Sequence, residues 1–170
     1  MRTSKDSIDK KLLTESEGGI VVQKVKQLGQ KVVFTNGCFD VLHPGHLSYL
    51  RAAAELGEVL IIGLNSDASV KRLKGEARPI HNISDRIFQL ACLSFVDYIM
   101  VFDTDTPLEL IEAITPDILV KGGDYLPNSI VGSDWVLSQG GKVLTIPFIE
   151  GHSSSSIIEK LKLGSWRKFL

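Results

Sequence analysis

Short apolar runs alternate with stretches of helical periodicity along most of the chain. Ile20, Val21, Val25 and Leu28 recur at helical spacing, and Gly29 is placed to end that helix. Lys31 to Thr35 reads as a first strand. Leu47, Leu50 and Ala54 share one face of a helix that runs to about Leu56 and stops at Gly57. Val59 to Leu64 is a near-continuous apolar run bounded by turns, the pattern of a parallel strand buried on both faces. Ser66 or Asp67 can cap a short helix through Leu73. Ser84 is read as the cap of a helix through about Phe95, with Ile87, Leu90, Ala91 and Ser94 on one face. Tyr98 to Phe102 is the next strand. Pro107 opens a helix striped by Leu108, Ile111 and Ile114, and Pro116 ends it. Ile118 to Val120 and Lys142 to Ile146 complete the strands, separated by a helix over 133–138 and a Gly140-Gly141 stop. A last helix is expected from Ile157 to Leu163.

Strands that alternate with helices throughout predict a single doubly wound, Rossmann-like α/β domain with a mainly parallel five-stranded sheet. The domain is expected over residues 30–163, after an N-terminal extension and packing helix over 1–29. A tail over 164–170 carries Trp166 and Phe169, and its role is not readable. The Lys31 to Thr35 strand should be central, at the switch point where the connections reverse.

Composition narrows the class. The chain has 170 residues, 44% hydrophobic and 23% charged, with a formal net charge of −1. That suits one globular domain and supplies no basic field for nucleic acid. Cys38 and Cys92 are the only cysteines, too few for a disulfide framework, so a reducing compartment fits. No apolar run approaches a membrane span, and Met1 to Lys11 lacks a signal-peptide core. The expectation is a cytoplasmic protein with no nucleic-acid or membrane partner.

The chemistry concentrates in Gly37-Cys38-Phe39-Asp40-Val41-Leu42-His43-Pro44-Gly45-His46, between the first strand and its helix. N–H groups at a helix start attract an anion. His43 sits just before the helix and His46 in its first turn. A metal site is not favoured, because no third or fourth ligand follows at zinc spacing. No serine lies in a hydrolase elbow. What remains is electrostatic stabilisation of a phosphate during phosphoryl or nucleotidyl transfer; the plainer alternative is two polar residues capping a helix. Lys71, Arg72, Lys74 and Arg78, flanked by Gly75 and Pro79, read either as a solvated charged loop or as a basic loop that closes over a triphosphate. Ser153 to Ser156 read either as a plain helix start or linker, or as a second phosphate clamp.

The motif resembles the signature of the cytidylyltransferase-like nucleotidyltransferase superfamily. Asn65-Ser66-Asp67, Arg78-Pro79, Asp85-Arg86, Lys121-Gly122-Gly123-Asp124-Tyr125 and the serine run are similar to the sugar-phosphate adenylyltransferase branch, in particular the enzymes that adenylylate heptose 1-phosphates, free-standing or as the C-terminal half of a bifunctional protein. The resemblance covers roughly residues 30 to 162. It implies transfer of AMP from ATP, with Mg²⁺, to a heptose 1-phosphate, and a homo-oligomer, a dimer. It implies catalytic roles for His43, His46, Lys74 and Arg86. It places nucleotide contacts at Thr35, Asn36, Gly37, Cys38, Phe39, Gly45, Lys121, Gly122, Asp124, Tyr125, Ser153, Ser154 and Ser155, and acceptor contacts at Asp40, Asn65, Asp67 and Lys71. The family's serine motif has Thr where this chain has Ser. The alternatives are a cytidylyltransferase using CTP with glycerol 3-phosphate or ethanolamine phosphate, and a nucleotide-sensing module without turnover.

Overall fold

A computed structural model of the chain describes residues 8–123, 126, 129–147, 154 and 157–159. Among them one sheet holds β1 (Leu12–Leu13), β2 (Val32–Gly37), β3 (Val59–Asn65), β4 (Tyr98–Phe102), β5 (Ile118–Gly122) and β6 (Lys142–Ile146), in the order β1-β4-β3-β2-β5-β6. Every neighbouring pair is parallel. The expected five strands are six. Leu12 and Leu13 lie beside Ile99 and Met100 at the edge, and two residues are too few to show a strand period. Lys11 fastens that edge by donating from Nζ to the carbonyls of Leu93 and Val96 at 3.0 and 2.7 Å.

The helices are α1 (Glu15–Gln27), α2 (Pro44–Ala54), α3 (Asp67–Lys74), α4 (Ile83–Ala91), α5 (Leu108–Ile114) and α6 (Ser133–Ser138). Several ends differ from those read in the sequence, each for a local reason. α1 begins earlier, because Thr14 and Glu17 form a reciprocal capping box. Gly18 then lies inside the helix against the sheet, where an added Cβ would stand 2.4 Å from Met100 Cε. Asn82, not Ser84, caps α4 by accepting from the Asp85 N–H at 3.0 Å, and the helix stops at Ala91. Lys71, Arg72 and Lys74 belong to the last turn of α3 rather than to a loop; cations there complement the helix dipole. The loop proper begins at Gly75, whose φ of +91° is a conformation glycine tolerates.

Helices cover both faces of the sheet. Side chains alternate along the central strands: Val33, Leu60, Ile62 and Leu64 pack with Leu50 and Ala53 of α2 and Leu90 of α4, while Val32, Phe34 and Ile61 pack with Val22 and Val25 of α1 and Ile111 and Ile114 of α5. Residues before 30 therefore supply a strand to the sheet and a helix to the core. From β2 the chain runs outward through β3 and β4, then returns to β5 on the other side of β2. The motif follows β2, so it sits at that reversal, where the carboxyl ends of the strands leave a crevice.

The helix that carries the motif is anchored by its buried face. Leu50 has no solvent exposure. Leu50→Ala should cost about 2–5 kcal/mol in unfolding free energy, as lost transfer energy plus a cavity. Urea titration of wild type and variant measures this, and a loss below half a kcal/mol would show that α2 is not held through this face.

Candidate active site

Backbone geometry at the end of β2 is unusual. Phe39 adopts φ +43°, in the left-handed region. Its ring folds back over Gly37, where an added Cβ would meet it at 3.0 Å, and meets the His46 ring edge-on at 5.4 Å between centres. A glycine at 37 therefore makes room for the reversal. His43 is the extended residue before α2, and Pro44 opens the helix. No side chain caps this helix end by a hydrogen bond, so helix capping does not describe the two histidines. Their rings lie 3.8 Å apart, tilted by 30°.

His46 has its pKa pushed down to about 4, first by burial, then by the charges of His43 and Lys74, with a hydrogen bond to the Val41 backbone opposing. At neutral pH it is a neutral imidazole. Behind the motif, the Tyr49 hydroxyl bonds Thr35 Oγ1 and donates to the Val120 carbonyl at 3.2 Å, tying α2 to β2 and β5. Burial pushes the Tyr49 pKa up.

A cavity of about 150 Å³ opens at the motif. Its wall combines Asn36 to Asp40, His46 and Tyr49 with Lys74, Lys121, Gly122 and Ser154. Ser154 also donates to the Val41 carbonyl at 3.2 Å, so the serine run reaches the motif. The wall thus gathers ten of the residues singled out in the sequence: Asn36, Gly37, Cys38, Phe39, Asp40, His46, Lys74, Lys121, Gly122 and Ser154. Thr35 lies behind it, fully buried, and Gly45 is buried within α2. His43 meets the cavity's His46 ring to ring. Asp124, Tyr125, Ser153 and Ser155 lie outside the described residues. A larger cavity, about 630 Å³, is lined by residues of α5, α6 and the segment before α6 and by none of the motif.

Four of the expected contact residues make bonds within the framework. Asp40, expected to meet the acceptor, has a fully buried carboxylate. It accepts from the Ile80 and His81 N–H groups at 2.7 and 2.9 Å and from Arg78 Nε at 2.5 Å. Burial alone would raise its pKa; the hydrogen bonds from His81, Arg78 and Ile80 and the Arg78 charge outweigh that and lower it. Arg86, expected either on the phosphates or in a surface ion pair, is fully buried. It donates to the carbonyls of His81, Cys38 and Asn65 at 3.1, 2.7 and 2.8 Å and to Asp67 at 2.7 Å. That engages Asp67, and the Asn65 side chain donates to Ser69 at 3.0 Å. Lys71 lies at 3.9 Å from Glu76 on the surface.

Tyr49 and His81 escaped the sequence reading. Tyr49 shares the helical face of Leu50 and Ala53 and reads as core. His81 Nδ1 donates to the Asp40 carbonyl at 2.7 Å, a contact between residues far apart in sequence with no local signature.

A sheet switch point that carries a histidine pair, two lysines and a glycine-lined loop around one cavity is the arrangement of a nucleotidyltransferase, an enzyme class whose substrate is a nucleotide accompanied by a divalent ion. A sequence profile of cytidylyltransferase-like proteins matches residues 34–160, and the chain belongs to that family. It is 56% identical over 135 residues to a bifunctional protein HldE of Marinomonas sp. strain MWYL1, covering 79% of this chain and 28% of that protein. With the HldE of Helicobacter acinonychis strain Sheeba it shares 59% over 133 residues, 78% of this chain and 28% of the relative. The chain thus spans under a third of the curated relatives' length. In fold it is similar to the lipopolysaccharide core biosynthesis protein of Thermoplasma volcanium GSS1, with a TM-score of 0.57 at 24% identity over 73% of this chain and all of that one. Among the described residues no helix is long and apolar enough to cross a membrane.

The His46 shift has a consequence for stability. Unfolded, His46 gains its proton near pH 6.5; folded, only near pH 4. Between those values the unfolded state binds the extra proton, so the stability contribution is complete above about pH 6.5 and is lost as pH falls towards 4. Urea midpoints should decline less steeply across this window in His46→Gln than in wild type. Parallel declines would show that His46 is not the group responsible.

Proposed function

We propose that the chain transfers AMP from ATP to a heptose 1-phosphate, giving pyrophosphate and ADP-heptose, a precursor for lipopolysaccharide or another surface glycan. The observation that carries this reading is the motif cavity. It gathers Lys74, Lys121, His46 and Ser154 around a glycine-lined loop, and the one carboxylate among the described residues of its wall, Asp40, is already engaged with Arg78. Such a wall suits polyanions. The acceptor is inferred from the similarity of the Asn65-Ser66-Asp67 and Lys121-to-Tyr125 blocks to heptose 1-phosphate adenylyltransferases, and the identity with HldE proteins is in keeping with it.

A phosphate oxygen of the acceptor attacks the α-phosphorus in line, and the bond to the β-phosphate oxygen breaks. The acceptor arrives ionised, so no base is needed to activate it. The protein's work is to position two anions and stabilise the charge on the transferred group. His43 and His46 attend the transferring phosphate, Lys74 the outer phosphates, and Ser154 the far side. Arg86 acts at one remove, by fixing the Cys38 and Asn65 carbonyls. Among the described residues no group of three His, Cys, Asp or Glu is arranged to hold a metal. Mg²⁺ would accompany ATP, held mostly by phosphate oxygens and water. The reading includes a cytoplasmic dimer.

Pyrophosphate release from a matrix of nucleoside triphosphates against phosphorylated acceptors tests it. ATP with heptose 1-phosphate should be the productive pair; CTP with glycerol 3-phosphate as the better pair would overturn the assignment, and no release with any pair would leave a binding module. His43→Ala and His46→Ala should each lower kcat by roughly 100-fold to 1,000-fold, with a much smaller change in ATP affinity. Activity within a few-fold of wild type in either variant, with the fold intact, removes that histidine from catalysis.

A further inference from the structure

Lys121 is the penultimate residue of β5, and among the described residues its ammonium is held by neutral oxygen. Nζ donates to the Asn36 carbonyl at 3.2 Å and to Asn36 Oδ1 at 3.1 Å. Among the described residues no carboxylate pairs with it. An ammonium has three donors, so one has no partner among the described residues. Burial pushes the Lys121 pKa down, with Cys38 acting the other way. A buried cation without a counter-charge is unfavourable, and an anion arriving there relieves the cost.

The sheet order gives this anion an identity. β3 and β5 flank β2 on opposite sides. Lys74 ends α3, which follows β3, whereas Lys121 lies in the last two residues of β5. Neighbouring strands lie about 4.8 Å apart, so the two lysines come to the motif from strands roughly 10 Å apart. Lys121 and Asn36 also belong to two cavities. One is the motif cavity, with His46, Lys74 and Ser154. The other, about 120 Å³, is walled by Pro107, Ser129, Ile130 and Val131, and among the described residues no second cation lines it. In-line displacement sets the attacking and leaving oxygens on opposite sides of the phosphorus. Two phosphate anions must approach each other, and each needs its own counter-charge. The triphosphate has the start of α2, the histidines and Lys74.

Resting on the adenylyl-transfer reading above, we propose that Lys121, oriented by Asn36, receives the phosphate of the acceptor rather than the nucleotide, and that the cavity walled by Pro107, Ser129, Ile130 and Val131 takes the group that phosphate carries. This moves Lys121 from the nucleotide side, where resemblance alone had set it. Attack forms the new bond from acceptor oxygen to α-phosphorus, and the electron pair of the broken bond leaves with pyrophosphate. Lys121 exchanges no proton in the step.

Three variants test the assignment. Lys121→Met should raise the apparent KM for the acceptor about 10-fold to 100-fold, the loss of one charge-assisted hydrogen bond, with the KM for ATP changed far less. Lys121→Arg should recover part of the acceptor affinity. Val131→Trp, which fills the second cavity and removes no charge, should likewise raise the acceptor KM selectively. Melting temperatures check that each variant folds, and Met removes a buried charge at similar length. A raised KM for ATP with the acceptor KM unchanged returns Lys121 to the nucleotide and overturns the proposal. If wild type ignores heptose 1-phosphate but uses another phosphorylated acceptor, the heptose reading alone falls, and Lys121 is judged with the acceptor that works. Calorimetric titration of that acceptor onto protein saturated with a non-hydrolysable ATP analogue needs no turnover; equal affinities for wild type and Lys121→Met overturn the proposal. Should no phosphorylated acceptor bind wild type, both readings fall together.

Discussion

Arg86 has no solvent exposure, and four donors of its guanidinium are placed: on the carbonyls of Cys38, Asn65 and His81 and on Asp67. Those acceptors belong to the loop after β2, the end of β3, the segment before α4 and the start of α3. Five N–H groups in a rigid plane can join four chain segments where an ammonium could not. The carbonyls at the ends of β2 and β3 would otherwise be buried polar groups in search of partners. Their satisfaction by one cation fixes the loop that makes the floor of the cavity. Breaking such a set is costly, because the charge left behind has no water to turn to.

Asp40 does for the opposite wall what Arg86 does for the floor. Its carboxylate takes two backbone N–H groups and Arg78, and its carbonyl meets His81 Nδ1. Residues 78–81 are drawn onto the motif, with Lys74 just upstream on the cavity wall. A free carboxylate inside a triphosphate site would repel its ligand. Pairing with Arg78 cancels that charge while keeping the hydrogen-bonding power. The motif thus contains an acidic residue bound into its framework, and among the described residues the net field left at the cavity is that of the lysines and the helix start.

Much of this was legible in the sequence, where the physics is local. Parallel strands buried on both faces announce themselves as continuous apolar runs, so β3 and β4 were read within a residue of their ends and β2 within two. The histidine pair, the glycines and the serine run lie beside strand and helix ends that periodicity can find. The misreadings share a different cause. β1 is two residues long and has no period. The choice of Asn82 over Ser84 as cap depends on which side chain reaches the Asp85 N–H, a matter of a few degrees of backbone. Asp40 with Arg78 and Arg86 with Cys38 are pairings across 38 and 48 residues. Sequence shows the charges but not the partners. The bracing bonds of Asp40, Asp67 and Arg86 were therefore not legible in the sequence.

The protonation state of the histidines follows from the same architecture. Two imidazoles at 3.8 Å between centres, beside a helix start and near Lys74, cannot both carry charge without strong repulsion. Burial adds to that, and His46 is held neutral to about pH 4. A neutral imidazole still donates one hydrogen bond, and it does so without adding a fixed cation to the ground state. On the adenylyl-transfer reading proposed above, the lysines supply charge that attracts both substrates from a distance. On that reading the imidazole pair supplies short-range donors whose interaction strengthens only as negative charge grows on the transferring phosphate, which is the condition for lowering a barrier rather than merely tightening binding.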